Sequence, residues 1–357
     1  MIKIDESELK QIGIMHRIED SVTISHSKIK FNHMDVCVKQ IKTESFLDAN
    51  KALQEALTLA SFAHPNVVKI YCSYLEGNDM ELEFYSIIME YFELRNLSKL
   101  IKERIKSNIP WSEATLLYYG NQLISALAYL QQKDCAHRDI KPENILVSNS
   151  GRLLKISDFG DCIKVIKNSL SLRGTTNYLS PILRTAYKQN LGDQIKTIRH
   201  NPFKSDVFSL GLILLYMATF KDPKIFERVS SLREDLNKCI ESLGYNYSNL
   251  KILLRALLEI DEESRPDFVQ LREEISCTHK FTENNFCIKC QNYLILTNFV
   301  KIYDTDYCDM CEQQIKSQKH KCLNCKKHGE FNQVYIFENK VYCKKCLSLK
   351  SLKKLPL

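Results

Sequence analysis

His137-Arg138-Asp139-Ile140-Lys141-Pro142-Glu143-Asn144, followed by Asp158-Phe159-Gly160, is the stretch on which the reading of this chain turns. One short loop carries a carboxylate (Asp139), an amine two residues on (Lys141) and an amide five residues on (Asn144). A second carboxylate, Asp158, follows in a tight turn ended by glycine. Such a set can orient a hydroxyl nucleophile, offset phosphate charge and hold magnesium.

Working outward, the sequence before this loop reads as strands. Residues 21–25 and 36–41 carry β-branched residues, with a turn at Asn32-His33-Met34-Asp35 between them. Residues 47–61 read as a helix, because Leu53, Ala56, Leu57 and Ala60 recur at helical spacing before Pro65. Residues 66–91 alternate again. After Trp111 the chain turns helical, with Leu116, Leu123, Leu127 and Leu130 on one face of a helix reaching Gln132. Two further helices are expected at 205–219 and 248–259, and residues 183–204 read as an irregular, polar and basic insertion. Strands first and helices after predict an α+β architecture of two lobes.

The loop and turn resemble the catalytic loop and metal-binding turn of eukaryotic-type serine/threonine protein kinases, and the resemblance extends over roughly residues 8–276. It implies a bilobal kinase domain over residues 1–276, using ATP and magnesium to phosphorylate protein hydroxyls. It implies that Asp139 orients the hydroxyl, Lys141 steadies the phosphoryl group, and Asn144 and Asp158 hold magnesium. Lys39, in Val36-Cys37-Val38-Lys39, falls where the family grips the α/β phosphates. Glu55, ten residues before Pro65, falls where the family places its ion-pair partner. Met89-Glu90-Tyr91-Phe92 is similar to the hinge, which implies adenine contacts at Glu90, Phe92 and Leu146 and a ribose contact at Asn96. Leu59, Ile70, His137 and Phe159 match an apolar column linking the lobes, although ordinary core packing explains each equally well. Gly174-Thr175-Thr176-Asn177-Tyr178-Leu179-Ser180-Pro181 resembles the end of an activation segment. Asp206 in Ser205-Asp206-Val207 is the implied anchor of the catalytic loop, and Arg265-Pro266 the closing motif. Lys141 together with Thr175 matches the serine/threonine branch rather than the tyrosine branch.

Two departures stand out. The family's glycine-rich loop, anchored on Val22, would place glycines at 15, 17 and 20, where this chain has Met15, Arg17 and Asp20. Glycines let backbone N–H groups approach phosphates closely, so nucleotide grip should weaken, with Arg17 as a substitute donor and Asp20 as a repelling charge. The second departure is Ile182, where the family has a glutamate buried against the counterpart of Arg265. An unpaired buried arginine costs about 3–5 kcal/mol, so either Arg265 is exposed or another acid, such as Asp193, pairs with it. Arg138 beside Asp139 is suited to a phosphate on the activation segment. Ser171 is the first candidate acceptor, with Ser169 and Thr175 behind it.

The last 81 residues differ in kind. Residues 277–357 hold nine of the 14 cysteines, with 14 Lys, no Arg and seven Asp or Glu, so the chain's whole net charge of +7 resides there. Four Cys-x-x-Cys pairs occur: Cys287/Cys290, Cys308/Cys311, Cys322/Cys325 and Cys343/Cys346. Each cysteine of the second set follows its counterpart by 35 residues, an internal repeat. A Cys-x-x-Cys turn offers two thiolates to a tetrahedral ion and a second turn completes it, so the pattern predicts two closed structural zinc sites. Sequential use gives two self-contained ribbons, and cross-braced use gives a RING-like module. The expected organisation is a linker at 277–286, a zinc module at 287–346 and a basic tail at 347–357. A protein or ubiquitin-like partner suits this module better than nucleic acid, because its lysines come without arginine and with few aromatics placed for stacking.

The longest apolar stretch, 208–220, is too short to span a bilayer. No secretory leader is read at the N-terminus. Cytoplasm is the expected location, with the nucleus as the alternative. Three functions remain at this level: a serine/threonine kinase with a zinc-binding recruitment tail, a weak or inactive kinase-fold scaffold whose output is that tail, and a RING-like ubiquitin ligase module fused to a kinase.

Overall fold

The computed structural model describes residues 9–278 apart from 12–15, 20, 30–32, 78–81, 94–95, 149, 166–168, 190–196 and 227, and beyond them the backbone of six short strands. The chain forms two compact units, Met1–Lys280 and Phe281–Leu357.

The first lobe of the larger unit is an antiparallel sheet. Its strands are β1 (Leu9–Gln11), β2 (His16–Glu19), β3 (Val22–Ile29), β4 (Asp35–Lys42), β5 (Ile70–Gly77) and β6 (Leu82–Glu90), in the order β1-β3-β4-β6-β5 with β2 on β3. Ile29, Val36, Val38, Cys72 and Ile88 are its buried core. Alternation along β4 puts Val36 and Val38 in that core and aligns Lys39 between Ile24 of β3 and Ile87 of β6. Helix α1 (Phe46–Ala60) crosses from β4 to β5 and is capped by the Ser45 hydroxyl, which accepts from the Asp48 N–H at 3.2 Å. Its buried face is Ala49, Ala52, Glu55, Ala56 and Leu59, small apolar residues with a single carboxylate among them.

The second lobe is helical, with α2 (Leu97–Ser107), α3 (Glu113–Gln132), α4 (Pro181–Gln189), α5 (Pro202–Thr219), α6 (Leu232–Glu241), α7 (Ser248–Leu257) and α8 (Phe268–Thr278). Helix α5 is apolar nearly all round and accordingly buried, as in the core of a large lobe. At Gly211 an added Cβ would lie 2.8 Å from the Leu258 side chain, so α5 packs there at near-backbone distance. Short strands carry the loops of the cleft: β7 (Cys135–Ala136), β8 (Ile145–Val147), β9 (Leu154–Ile156), β10 (Ile163–Lys164), β11 (Ser169–Ser171) and β12 (Thr197–Arg199). The pairs are β8 with β9, β7 with β10, and β11 with β12.

Two expectations are corrected here. The stretch 183–204 is not irregular where described. It holds most of α4, the strand β12 on β11, and the capped start of α5, where the Asn201 side chain accepts from the N–H groups of Phe203 and Lys204. Within α4, Arg184 is buried and donates to the carbonyls of Leu179 (2.6 Å), Asn177 (2.7 Å) and Phe226. Arg265, in turn, is neither exposed nor in need of an acid from 190–196. Only 1% of it is accessible, and its guanidinium donates to the carbonyls of Glu259 (2.7 Å), Lys204 (3.0 Å) and Ile260 (3.0 Å) and lies over the Phe208 ring. Burial still lowers its pKa to about 10, against the attraction of Glu262 and Glu259. Three carbonyls take the donors that the missing glutamate would have met, which offsets part of the burial cost. Asp193 lies outside the described residues.

In the smaller unit the backbone forms three hairpins: β13 (Phe299–Ile302) with β14 (Thr305–Cys308), β15 (His320–Lys321) with β16 (His328–Gly329), and β17 (Val334–Phe337) with β18 (Lys340–Cys343). The first and third share one register, Phe299 facing Cys308 and Val334 facing Cys343, displaced by the 35 residues of the sequence repeat. Of the eight expected zinc ligands, Cys287, Cys290, Cys311, Cys322, Cys325 and Cys346 lie outside the described residues, and Cys308 and Cys343 are described in backbone only. Among the described residues no group of three or more His, Cys, Asp or Glu is arranged to hold a metal ion. The two expected zinc sites therefore have no ligand cluster among the described residues.

Candidate active site

The loop after β7 is fixed from below by α5. Both carboxylate oxygens of Asp206 accept backbone N–H groups, from His137 at 2.9 Å and Arg138 at 3.0 Å. Burial pushes the Asp206 carboxyl up to about 7, opposed by those N–H groups. His137 is fully buried. Burial lowers its pKa and holds it neutral, with Nε2–H donating to the Ser157 carbonyl (3.1 Å) and Nδ1 accepting from the Asp139 N–H (3.3 Å). Its ring packs edge-on to Phe159 at 5.0 Å, and Phe159 meets Phe62 at 5.4 Å. Arg138 and Asp158 both take positive φ, 68° and 62°, which turns the chain sharply on either side of the cleft.

Asp139 is the hub. Asn144 donates its amide hydrogens to the Asp139 carboxylate (3.0 Å) and carbonyl (2.9 Å). Lys141 pairs with the carboxylate at 2.7 Å, and the Thr175 hydroxyl and N–H donate to it at 2.8 and 3.1 Å. Lys141 also donates to the Thr175 hydroxyl at 3.0 Å. Burial works against the charge on Lys141, but Asp139 outweighs it and raises the pKa. Gly174 makes this approach possible: at φ 106°, an added Cβ would stand 2.8 Å from the Arg138 carbonyl.

Across the cleft, Lys39 donates to Glu55 at 2.7 Å and to Asp158 at 2.9 Å, joining α1, the sheet and the second lobe. Burial disfavours the Lys39 charge, yet Glu55 and Asp158 more than offset it and raise its pKa. Burial dominates at Glu55, whose pKa rises despite Lys39. At Asp158, burial is overcome by Lys39 and the pKa falls. Asp158 is thus held as a carboxylate by Lys39, and with the amide oxygen of Asn144 it offers the hard-oxygen donors that magnesium takes.

The remaining expected residues divide. Phe92 is buried, and the Lys155 ammonium lies 6.0 Å from its ring centroid while pairing with Glu90 at 2.7 Å. Leu146 bridges Asn96 through the backbone. The Asn96 side-chain oxygen accepts from the Lys99 N–H at 3.0 Å and caps α2, a local use that competes with a ribose contact. Arg138 donates to the Ser171 hydroxyl at 3.3 Å and to the Asp161 carbonyl at 2.8 Å. Arg138, Ser171, Arg173 and His200 line one cleft. The side chains of Ser169 and Arg17 lie outside the described residues, as do Met15 and Asp20. Sequence reasoning missed Asp161 and the structural use of Thr175, because contacts made across 20 to 40 positions leave no periodic signal. It also missed the His26 ring stacked on hinge Tyr91 at 3.7 Å.

Comparison with known proteins agrees with this geometry. A family model described as protein kinase domain matches residues 22–276. Similar relatives include the serine/threonine-protein kinase nekl-2 of Caenorhabditis elegans, 30% identical over 67% of this chain, and the probable serine/threonine-protein kinase nek1 of Dictyostelium discoideum, 29% identical over 70%. The mouse serine/threonine-protein kinase Nek5 is 27% identical over 69%. The matches cover 66%, 52% and 36% of those proteins' own lengths. Among the described residues no helix is long and apolar enough to cross a membrane. The chain belongs to the protein kinase family, and within it groups with the serine/threonine-protein kinases.

Proposed function

We propose that this chain transfers the γ-phosphate of magnesium-ATP to serine or threonine hydroxyls of proteins. The observation that carries this is Asp139, bonded at once to Lys141, Asn144 and Thr175, opposite a closed Lys39–Glu55–Asp158 set. In this reading Asp139 accepts or orients the substrate hydroxyl proton, and Lys141 offsets charge on the transferring group. Lys39, placed by Glu55, holds the α/β phosphates. Asn144 commits its amide hydrogens to Asp139, which leaves its oxygen, with the Asp158 carboxylate, as the magnesium ligands. Magnesium supplies charge neutralisation on the phosphates. Glu90, Phe92 and Leu146 frame the adenine site. Thr175 belongs to this network, which makes it a poor phosphorylation site, whereas a phosphate on Ser171 would meet Arg138 and Arg173. The test is phosphate incorporation by the purified full-length chain with magnesium-ATP, with Asp139→Asn alongside. Transfer lost in the variant supports the reading. Equal background from folded protein favours a scaffold.

A second reading concerns the tail. The duplicated hairpins, in one register and each ending at the first cysteine of a Cys-x-x-Cys pair, support two sequential zinc ribbons over a cross-brace. In this account Cys287, Cys290, Cys308 and Cys311 hold one ion, and Cys322, Cys325, Cys343 and Cys346 hold the other. Metal analysis should find two zinc ions per chain. A chelator should melt Phe281–Leu357 while leaving the kinase unit folded, because zinc supplies most of such a module's folding free energy. Retained tail structure without metal would remove this reading. The bound partner in this account is a protein, recruited to the kinase.

A further inference from the structure

Cys135 and Cys162 have no part in the mechanism above, yet they meet in space although far apart in sequence. The ladder between β7 and β10 aligns Ala136 with Ile163 and Cys135 with Lys164. Cys162 directly precedes β10, and the two-residue alternation of strands puts it on the face of Lys164 and Cys135. The ladder thus sets the two thiols diagonally across β7 and β10, and the Cys135 S–H donates to the Lys133 carbonyl at 3.4 Å. Both thiols are free and half-buried. The neighbouring Cys162 thiol lowers the Cys135 pKa against burial, with Lys164 and Lys133 assisting and Asp134 opposing. Cys135 and burial raise that of Cys162. Burial shifts Cys37 and Cys239 upward. The Cys135 side is therefore the nucleophilic one, since thiolates rather than thiols react.

We infer that Cys135 and Cys162 form an oxidisable dithiol, in which Cys135 reacts with a hydroperoxide and Cys162 closes a disulfide that ties the activation segment to the catalytic loop. In the first step the Cys135 sulfur attacks a peroxide oxygen. A sulfur–oxygen bond forms and the oxygen–oxygen bond breaks. The sulfur is oxidised to sulfenic acid, and the other oxygen leaves as water or an alcohol after protonation. In the second step the Cys162 sulfur attacks the Cys135 sulfur. The disulfide forms, the sulfur–oxygen bond breaks, and hydroxide leaves as water with the Cys162 proton.

The position makes this bond consequential. Cys135 lies two residues before His137, and Cys162 follows Asp161, whose carbonyl accepts from Arg138 at 2.8 Å. Diagonal neighbours on an antiparallel ladder have Cα atoms about 7–8 Å apart, while a relaxed disulfide needs less than about 7 Å. Closing the bond therefore draws β7 toward β10 and disturbs the Arg138–Asp161 contact next to Asp139. Such a strained disulfide is also readily reduced, which suits a reversible device.

The effect on phosphate transfer rests on the kinase reading, but the dithiol does not. The full-length chain would be treated with hydrogen peroxide, its remaining thiols blocked, and its tryptic peptides mapped by mass spectrometry without reduction. Residues 134–138 and 156–164 should appear linked, and dithiothreitol should release them. Cys162→Ser should leave Cys135 as a dimedone-reactive sulfenic acid, and Cys135→Ser should leave Cys162 unmodified. Transfer by the oxidised wild type should fall by about tenfold or more and recover on reduction, consistent with misplacement of catalytic groups. Both serine variants should keep their reduced-state rate under peroxide. A folded chain with neither linked peptides nor a dimedone adduct at Cys135 overturns the dithiol. A link that leaves the rate of an active chain unchanged overturns its coupling to catalysis. A chain inactive even when reduced fails the kinase reading instead, and the peptide map alone then decides the dithiol.

Discussion

Between Ala136 and Asn144 the cleft floor holds Asp139, Lys141 and Asn144 by bonds to one another and to Thr175. Between His16 and Ile29, the β2–β3 hairpin that would roof the nucleotide contains no glycine. The floor serves groups that change charge as phosphate moves, whereas the roof serves phosphates that are bound before and during the step. A site can lose uniform binding and keep its chemistry, in which case KM suffers and kcat does not. On the proposed reading, the contrast between the two regions is that of intact transfer chemistry with a weakened grip on ATP.

The sharpest way to break this contrast is at the hub. Asp139→Asn should lower phosphate transfer by about 10²–10⁴, the usual worth of a positioned acid or base, with thermal unfolding unchanged. An undiminished rate above background would mean that Asp139 takes no part in the transfer. Lys39→Met tests the bridge between the regions. It leaves Glu55 buried without its cation, which should cost about 3–5 kcal/mol of stability in denaturant titration. Lys39→Met with Glu55→Leu should regain most of that stability, since an apolar pair can replace a buried ion pair. It should not regain transfer. Recovery of both would make the pair structural only.

Gly174→Ala probes the floor more gently. The new Cβ would meet the Arg138 carbonyl in a backbone conformation that suits glycine, displacing Thr175 from Asp139. A fall in kcat of about 10–100-fold, with KM for ATP unchanged, is expected from a misplacement of about 1 Å. A change confined to KM would assign Thr175 to binding rather than to the reacting groups.

What the sequence discloses follows from how far each contact reaches. The floor was legible because its polar groups stand within eight consecutive residues, and the Lys39–Glu55 pair only through the kinase resemblance and the distance from Glu55 to Pro65, since a lone helix glutamate otherwise reads as surface charge. The strands β3 and β4 and the helices α1, α3 and α5 were legible from period and caps. Helix α4 was not, because buried Arg184 breaks its apolar stripe and reads as surface charge. Strands β11 and β12 are three residues each, too short to show alternation, and their pairing joins the activation segment to a region read as an insertion. Arg265 looked like an orphan because carbonyl acceptors carry no side-chain signature. Cys135 and Cys162 escaped notice for the same reason, since only the β7–β10 ladder brings them together.

The roof allows the smallest and most discriminating test. If the missing glycines limit nucleotide grip, then Met15→Gly, Arg17→Gly and Asp20→Gly together should lower KM for ATP by about fivefold, the worth of about 1 kcal/mol of recovered hydrogen bonding, and leave kcat within about twofold. The single changes separate backbone from charge. Asp20→Gly removes a carboxylate that repels phosphate and should lower KM at low ionic strength, with the benefit fading as salt screens it. Arg17→Gly should raise KM if the guanidinium stands in for the absent N–H donors, because a charged donor contributes more than a neutral one. If the triple variant instead raises kcat, the roof limits chemistry or product release as well as binding. The division of labour between floor and roof would then have to be redrawn, with the roof aligning the γ-phosphate over Asp139.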